Sequence, residues 1–594
     1  MCVVRRFPLC LVTVVVCYTA MAAQTDSTSF SIRGSIGVTY DLYSINSDGP
    51  RSVSPRRPPT VLRLTADPTI ELGDVVEIPI HIALTFREAS VIQPQIPDPD
   101  IGSFIQNPLN RISVSPRFGW ATLHLGSLLP RYGTLTISNA QIFGMGFDFA
   151  PSPLRISGSY GILNRAVQVD TVNGRRGSYA RSILAIRIAN EQGSNSAFGL
   201  TVSRMTDDRT SIPFVTEVLN IPVPIVDSNG VVVKDSAYSL ITRDSLQPLA
   251  QEGISLGMDF KTNIGDGGFI NAELAGSAFT RDQDAPVLEE SLPVIDLFMT
   301  SRTSTRLDVA GLVEGGYNDR SWGVKGGITY IGPGYVSLSQ PFLQQDRIDV
   351  TVTPRFNVFN GRLTGSATVG WRMNDLIKSL DNGSTQLLLN IATTALATDD
   401  LTLSATFTNF GYRQTRNIDS IRYEQVTTSF SIMPTYVFGS GSLRHVVSGS
   451  FGLDSFDDLT AVGTPSSSNT TISATAAYSI SPRSADWSAR LVAAFVTNDL
   501  VSTRTTMQSV TLGGMYRMLY GTLTPDAAIT LSNNVITGLP SETQITLRGG
   551  ASWVVVNSLQ LVGRLQLNTV TSSDTVAGRS YDEILATIGI RWSF

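Results

Sequence analysis

The feature that most limits what this chain can fold into is a side-chain period of two, sustained over long runs. In Tyr581–Phe594 the apolar residues Ile584, Ala586, Ile588, Ile590, Trp592 and Phe594 alternate with Glu583, Thr587, Arg591 and Ser593. Upstream, Ile545, Leu547, Ala551, Trp553 and Val555 alternate with Gln544, Thr546, Arg548 and Ser552. Leu559, Leu561, Leu565 and Leu567 do the same against Gln560, Arg564, Gln566 and Asn568. Such alternation puts successive side chains on opposite faces of a strand. The runs last 10–14 residues, about twice an ordinary strand. Segments of the same texture recur back to residue 153. They are joined alternately by short turns (265–268, 318–320, 360–361, 398–400, 439–441, 482–485 and 556–557) and by long polar loops such as DSFDDLTAVGTPSSSN and VTSSDTVAGRS. One rim of the sheet therefore carries tight turns and the other long loops.

Beyond the N-terminus no apolar run reaches the roughly 18 residues of a membrane-spanning helix. In hydrocarbon every backbone N–H and C=O must pair, and strands achieve that only in a closed sheet. Long strands, dyad alternation and unequal connections predict an all-β fold, a large transmembrane antiparallel β-barrel of about 20–26 strands with both termini periplasmic. A soluble β-helix or sandwich array would have shorter strands and no alternation of loop length. A barrel this wide encloses more lumen than side chains can fill, so it holds a water channel or a plug.

The front of the chain, MCVVRRFPLCLVTVVVCYTAMAAQTDS, reads as a cleaved Sec-type signal peptide over residues 1–22: Arg5 and Arg6, a short apolar run, then Ala20-Met21-Ala22. Val-Val-Val before Cys17 is not a lipoprotein signal. All three cysteines (Cys2, Cys10 and Cys17) lie in that segment, so the mature chain has no disulfide and no thiolate metal site. Loss of Arg5 and Arg6 lowers the 44 basic residues to 42 against 49 acidic ones, a mature charge near −7. That balance excludes a nucleic-acid partner.

Residues 23–109 precede the most regular pattern and read as opening strands or a small plug; residues 110–594 read as the barrel. The lumen-facing phase carries Arg355, Arg372, Arg444, Arg490, Arg517, Arg548, Arg564 and Arg591, in a chain with only four lysines. Guanidinium groups on a lumen wall favour anions, unless inward acids such as Asp349 and Glu583 pair with them. Trp322, Trp487, Trp553 and Trp592 fall on the outward phase at one level, as an interfacial aromatic girdle requires. Residues 207–247 form the longest loop. Asn229-Gly230 between two Val-rich arms reads as a hairpin turn, folded into the lumen or standing on the rim. The acidic stretch 281–290 has oxygen ligands but not the glycine and spacing of a calcium loop, and no metal or cofactor is expected. His81, His124 and His445 form no catalytic motif. His124 and Ser127, three apart on a strand, are expected on opposite faces, so no enzymatic role is expected.

The order Thr587-x-Gly589-x-x-Trp592-x-Phe594 resembles the C-terminal targeting strand of Gram-negative outer-membrane barrels. The resemblance implies recognition by the barrel-assembly machinery through strand addition. The stretch WATLHLGSLLPRYGTLTISNAQIFGMGFDF (120–149) is similar to a group of uncharacterised outer-membrane barrel proteins, which implies the class and no activity. The expected function is a passive or gated channel for small polar or anionic solutes, set in outer-membrane lipid. The alternatives are a surface scaffold or secretion barrel, or a TonB-type receptor without a recognisable full plug.

Overall fold

The computed structural model describes residues 30–594 except 48–51, 74, 88–103, 105–106, 108, 139, 171–173, 193–194, 215, 227–231, 244–245, 290–292, 378–382, 415–423, 440, 459–466 and 575–577. The signal-peptide segment lies outside the described residues. The alternating runs form strands that each pair antiparallel with the next, and the sheet closes on itself as a 26-strand barrel. Closure joins the first long strand, Ser35–Ser47, to the last, Tyr581–Ser593, in unbroken register from Ser35↔Ser593 to Ser47↔Tyr581. Beyond it Gly34 and Phe594 exchange both backbone hydrogen bonds, at 2.8 and 3.0 Å. Closure is what leaves no strand edge unpaired in lipid.

Residues 30–87 supply the first three wall strands, since Ser35–Ser47 pairs with Thr60–Ala66, which pairs with Val76–Arg87. The wall then continues through Arg111–Phe118, where Ser115 and Pro116 interrupt the ladder, to Ala121–Leu128, Ile142–Phe149 and Leu154–Asn164. Ala121–Leu128 and Ile142–Phe149, with 8 residues each, are among its shortest members. On the far side strands such as Glu424–Phe438 and Leu443–Asp458 are about twice as long. The turns 265–267, 319–321, 359–362 and 557–558 lie on the rim that also holds both wall termini, and 281–304 and 332–346 lie on the other. Thr216–Val226 and Val232–Arg243 form a hairpin in its own two-stranded sheet, outside the wall. Its turn at Asn229-Gly230 lies outside the described residues.

The outer face is apolar, with Ile588, Ile590, Leu547, Leu512, Leu184 and Ile186 all exposed along it. The packed core sits inside the barrel instead. Ile137, Ala140, Leu338 and Phe279 bury themselves against Ile183, Ala185 and Met205 on the inner wall. Leu135 and Tyr335 pack on Ala275, Ala310 and Ile331. The loops 129–141 and 332–346 thus turn inward from the long-loop rim and cover one side of the lumen.

Candidate functional site

The inner face divides into two sectors. Over the strands from Ala180 to Asn318 it is lined by the inward loops, and the backbone of residues 132–136 is tied down almost group by group. Glu273, 8% exposed on its wall strand, accepts the N–H of Thr134 at 2.8 Å and of Leu135 at 2.7 Å. The hydroxyl of Tyr335 donates to the Leu135 carbonyl at 2.8 Å. Ser337 and Ser339 both donate to the Thr136 carbonyl, at 2.7 and 2.6 Å. Gln340 donates to Thr134 and Arg187 to Tyr132. Buried backbone groups need such partners, and here side chains supply them because no ladder can. Burial raises the pKa of the Tyr335 hydroxyl well above the ordinary tyrosine range, and that of Tyr132 as well.

Beneath residues 129–134, on the turn-rim side, lies a cavity of about 710 Å³. Its walls are charged and mostly self-neutralising. Arg155 grips Asp148 through two nitrogens, at 2.9 and 2.5 Å, and lies 3.6 Å from Glu191. Arg187 is paired with Asp259 in the same forked way. Lys261 lines the cavity with no side-chain partner among the described residues. His124 and Ser127 both line it too, which corrects the expectation that they lie on opposite faces. Gly126 between them has φ +95° and breaks the two-residue period. A Cβ there would stand 2.0 Å from the Ile112 carbonyl oxygen, so only glycine fits. The pair builds no catalytic dyad. His124 Nδ1 is hydrogen-bonded to Ser115 Oγ at 3.0 Å, and Ser127 Oγ accepts the Ile112 N–H.

Arginines facing the lumen from Arg33 to Arg187 are largely matched. Arg33 bridges Glu71 and Glu77, Arg117 reaches Glu77, Arg63 pairs with Asp41, and Arg181 with Asp207. The sector from Arg347 onward differs. Arg372 is forked onto Asp349 at 2.6 and 2.9 Å. Arg355 has only Asn318 Oδ1 and the Asp319 carbonyl, Arg548 only Gln566, and Arg591 only Ser35. Among the described residues the guanidinium groups of Arg444, Arg490, Arg517 and Arg564 have no hydrogen-bond or ion-pair partner. Glu583 is occupied by Asn568 at 2.7 Å rather than by an arginine. Arg548 and Arg564 are diagonal neighbours, because Arg548 faces Gln566 and Arg564 faces Gly550. Arg355, Arg444, Arg490, Arg517 and Arg591 all lie near the turn rim.

That rim also gathers aromatic rings on the outer phase. Trp322 and Trp487 open their strands, Trp553 and Trp592 lie at the ends of theirs, and Trp120 sits in the turn before Ala121. Trp322 packs on Tyr317 at 5.4 Å, Trp120 on Phe149 at 5.9 Å and Trp592 on Phe594 at 4.8 Å between ring centroids. In the last strand Thr587 donates to Asp41 across the closing seam at 2.8 Å, and Gly589 lies opposite Thr39. A closed ring of strands, greasy outside, with polar groups and folded loops within, decides the class. The chain is a closed antiparallel β-barrel of 26 strands.

No family model and no curated protein matches it. Among solved structures the barrel is similar to the ferric-catecholate import receptor Fiu from E. coli K12, at 8% identity and TM-score 0.34, over 95% of this chain and 81% of that one. It is similar to P. aeruginosa FpvA bound to heterologous pyoverdines, at 8% identity and TM-score 0.35, over 94% and 72%. It is also similar to Acinetobacter baumannii OccAB2, at 7% identity and TM-score 0.28, over 58% and 93%.

The inward loops escaped the sequence reading. Their trace is the run Ile183-Leu184-Ala185-Ile186, where apolar residues stop alternating because Leu184 and Ile186 are exposed on the apolar outer face while Ile183 and Ala185 are buried under the docked loops. Among the described residues no group of acids and histidines is arranged to hold a metal ion. In the acidic stretch Asp284 is paired with Arg209.

Proposed function

We propose that the barrel is a passive channel of the outer membrane for small polar solutes, with anions favoured over cations. The observation that carries this reading is the contrast between the two lumen sectors. One is filled by docked loops and its charges are neutralised in pairs. The other keeps Arg444, Arg490, Arg517 and Arg564 without counter-ions among the described residues. Unpaired guanidinium groups on a water-filled wall raise the local anion concentration and lower the barrier to anion entry. They bind carboxylate or phosphate through forked hydrogen bonds that exchange readily in water. The docked loops narrow the path and press solutes toward the arginine sector.

The test is reversal potential in a planar bilayer under a salt gradient, with liposome swelling in neutral sugars alongside. Anion selectivity and swelling support the reading. Cation selectivity refutes the anion preference, and a barrel that neither conducts nor swells refutes the channel.

A further inference from the structure

The wall has one weak seam. Arg111–Phe118 and Ala121–Leu128 share the pairs Ser113↔Gly126 and Val114↔Leu125 toward the long-loop rim and Arg117↔Thr122 and Phe118↔Ala121 beside the turn, with the Leu123 N–H on the Pro116 carbonyl at 2.9 Å between them. Pro116 has no N–H to give in return, so the short ladder lacks one bond, and Ser115 and His124 meet through their side chains beside it. The first-to-last seam, by contrast, is paired along the whole of Ser35–Ser47. Lipid penalises each unpaired backbone group, so this is where the wall opens at least expense.

The same stretch is also a low part of the wall. Ala121–Leu128 and Ile142–Phe149 have 8 residues each, which at the usual rise and tilt span about 21 Å of membrane normal. Leu443–Asp458 has 16, or about 42 Å by the same estimate. An outer-membrane apolar band is about 25 Å tall, so the bilayer must thin beside the low wall. Its outer face is apolar, with Leu123, Leu125 and Met145 exposed. Directly behind it lies the charged cavity, lined by His124, Ser127, Asp148 and Arg155 among others.

A weak seam, a thinned bilayer and a polar chamber meet at one place. We propose that the seam between Arg111–Phe118 and Ala121–Leu128 is a lateral port. Through it the polar head of a membrane amphiphile enters the lumenal cavity while its chain stays in the bilayer. The cavity offers guanidinium, ammonium and carboxylate groups side by side, which suits a zwitterionic head. This is independent of solute conduction and stands or falls apart from it.

The test uses the natural absence of cysteine after residue 17. Lys261→Cys in the full mature barrel, labelled with a fluorophore, reports from inside the cavity, and the quencher is a lysophosphocholine carrying a nitroxide on its head, placed in the bilayer. In that background Val114→Cys with Leu125→Cys staples the seam by a disulfide. Val38→Cys with Ile590→Cys staples the fully paired closing seam as a control. Heat-modifiable electrophoretic mobility verifies that each variant is a folded barrel. The port predicts quenching in the unstapled barrel and in the control, loss of it on stapling 114 to 125, and return on reduction. Absence of quenching in the unstapled barrel overturns the port. Quenching that persists with the 114–125 staple in place also overturns it, because the amphiphile then enters through the mouth.

Discussion

Glu273→Gln tests how the lumen is narrowed. The carboxylate of Glu273 holds two consecutive backbone N–H groups, at 2.8 and 2.7 Å, in a buried site. A charged acceptor makes each bond worth about 1.5–3 kcal/mol net. The amide keeps one acceptor oxygen but turns a donor NH₂ toward the second N–H. One charge-assisted bond is lost, the other becomes neutral, and a buried donor faces a donor. The loss sums to about 2–4 kcal/mol of loop docking. Docking is also held by Tyr335, Ser337, Ser339 and Gln340 and by burial of Leu135 and Ile137, the two apolar side chains contributing about 1.5–3 kcal/mol each. The loop therefore loosens rather than leaves, and Glu273→Ala, which removes both acceptors, goes further. Single-channel recording should show larger mean conductance with added substates for Gln and a larger step for Ala, in barrels whose heat-modifiable mobility is unchanged. Conductance identical to that of the parent protein in both folded variants would refute the reasoning, since the loop would then not bound the conducting path.

Replacing Arg444, Arg490, Arg517 and Arg564 together by Gln should move the reversal potential toward cations, whereas neutralising both members of the matched pairs, Arg155→Gln with Asp148→Asn and Arg187→Gln with Asp259→Asn, should move it little. Asp349→Asn removes the forked partner of Arg372 and the neighbour of Arg347, 3.7 Å away; breaking a half-buried pair from one side costs about 3 kcal/mol, read as a lower temperature for loss of the compact form on electrophoresis. The Tyr335 hydroxyl has its pKa raised in the folded barrel, so its contribution to loop docking is intact below the unfolded tyrosine value of about 10 and declines as pH climbs toward the folded one. Conductance should stay flat to about pH 10 and rise above it, and Tyr335→Phe should abolish that rise.

What could be read without coordinates follows from what the bilayer enforces. Ile588, Ile590 and Leu547 face lipid wherever the strands sit, so the alternation and the cylinder it implies are written locally. So is the terminal strand, whose Thr587, Gly589, Trp592 and Phe594 need only one neighbour on each side. The site is another matter. Leu135 and Ile137 lie in a stretch, TLTIS, that resembles an exposed strand. They are buried because Glu273 and Tyr335, more than a hundred residues on, come round the ring to meet them. Partnering of arginines is only half legible: the strand period already places Asp349 on the inner face as a candidate partner, but nothing beside Arg372 assigns the two to each other or marks Arg564 as unmatched. Gly126 was legible only as a glycine; its left-handed backbone, which sets His124 and Ser127 on one side, is a product of the crowding at Ile112.

The closing seam has a consequence for how the molecule is made. Ser35–Ser47 has to find Tyr581–Ser593 across nearly the entire polypeptide, the most distant encounter available to it. Until the last dozen residues are in place, the opening strand offers a bare row of donors and acceptors to any passing chain. Biogenesis must therefore shelter an unfinished hoop of twenty-five staves for the whole time it takes the final one to arrive. Truncation at the tail would leave the vessel unsealed rather than merely shorter.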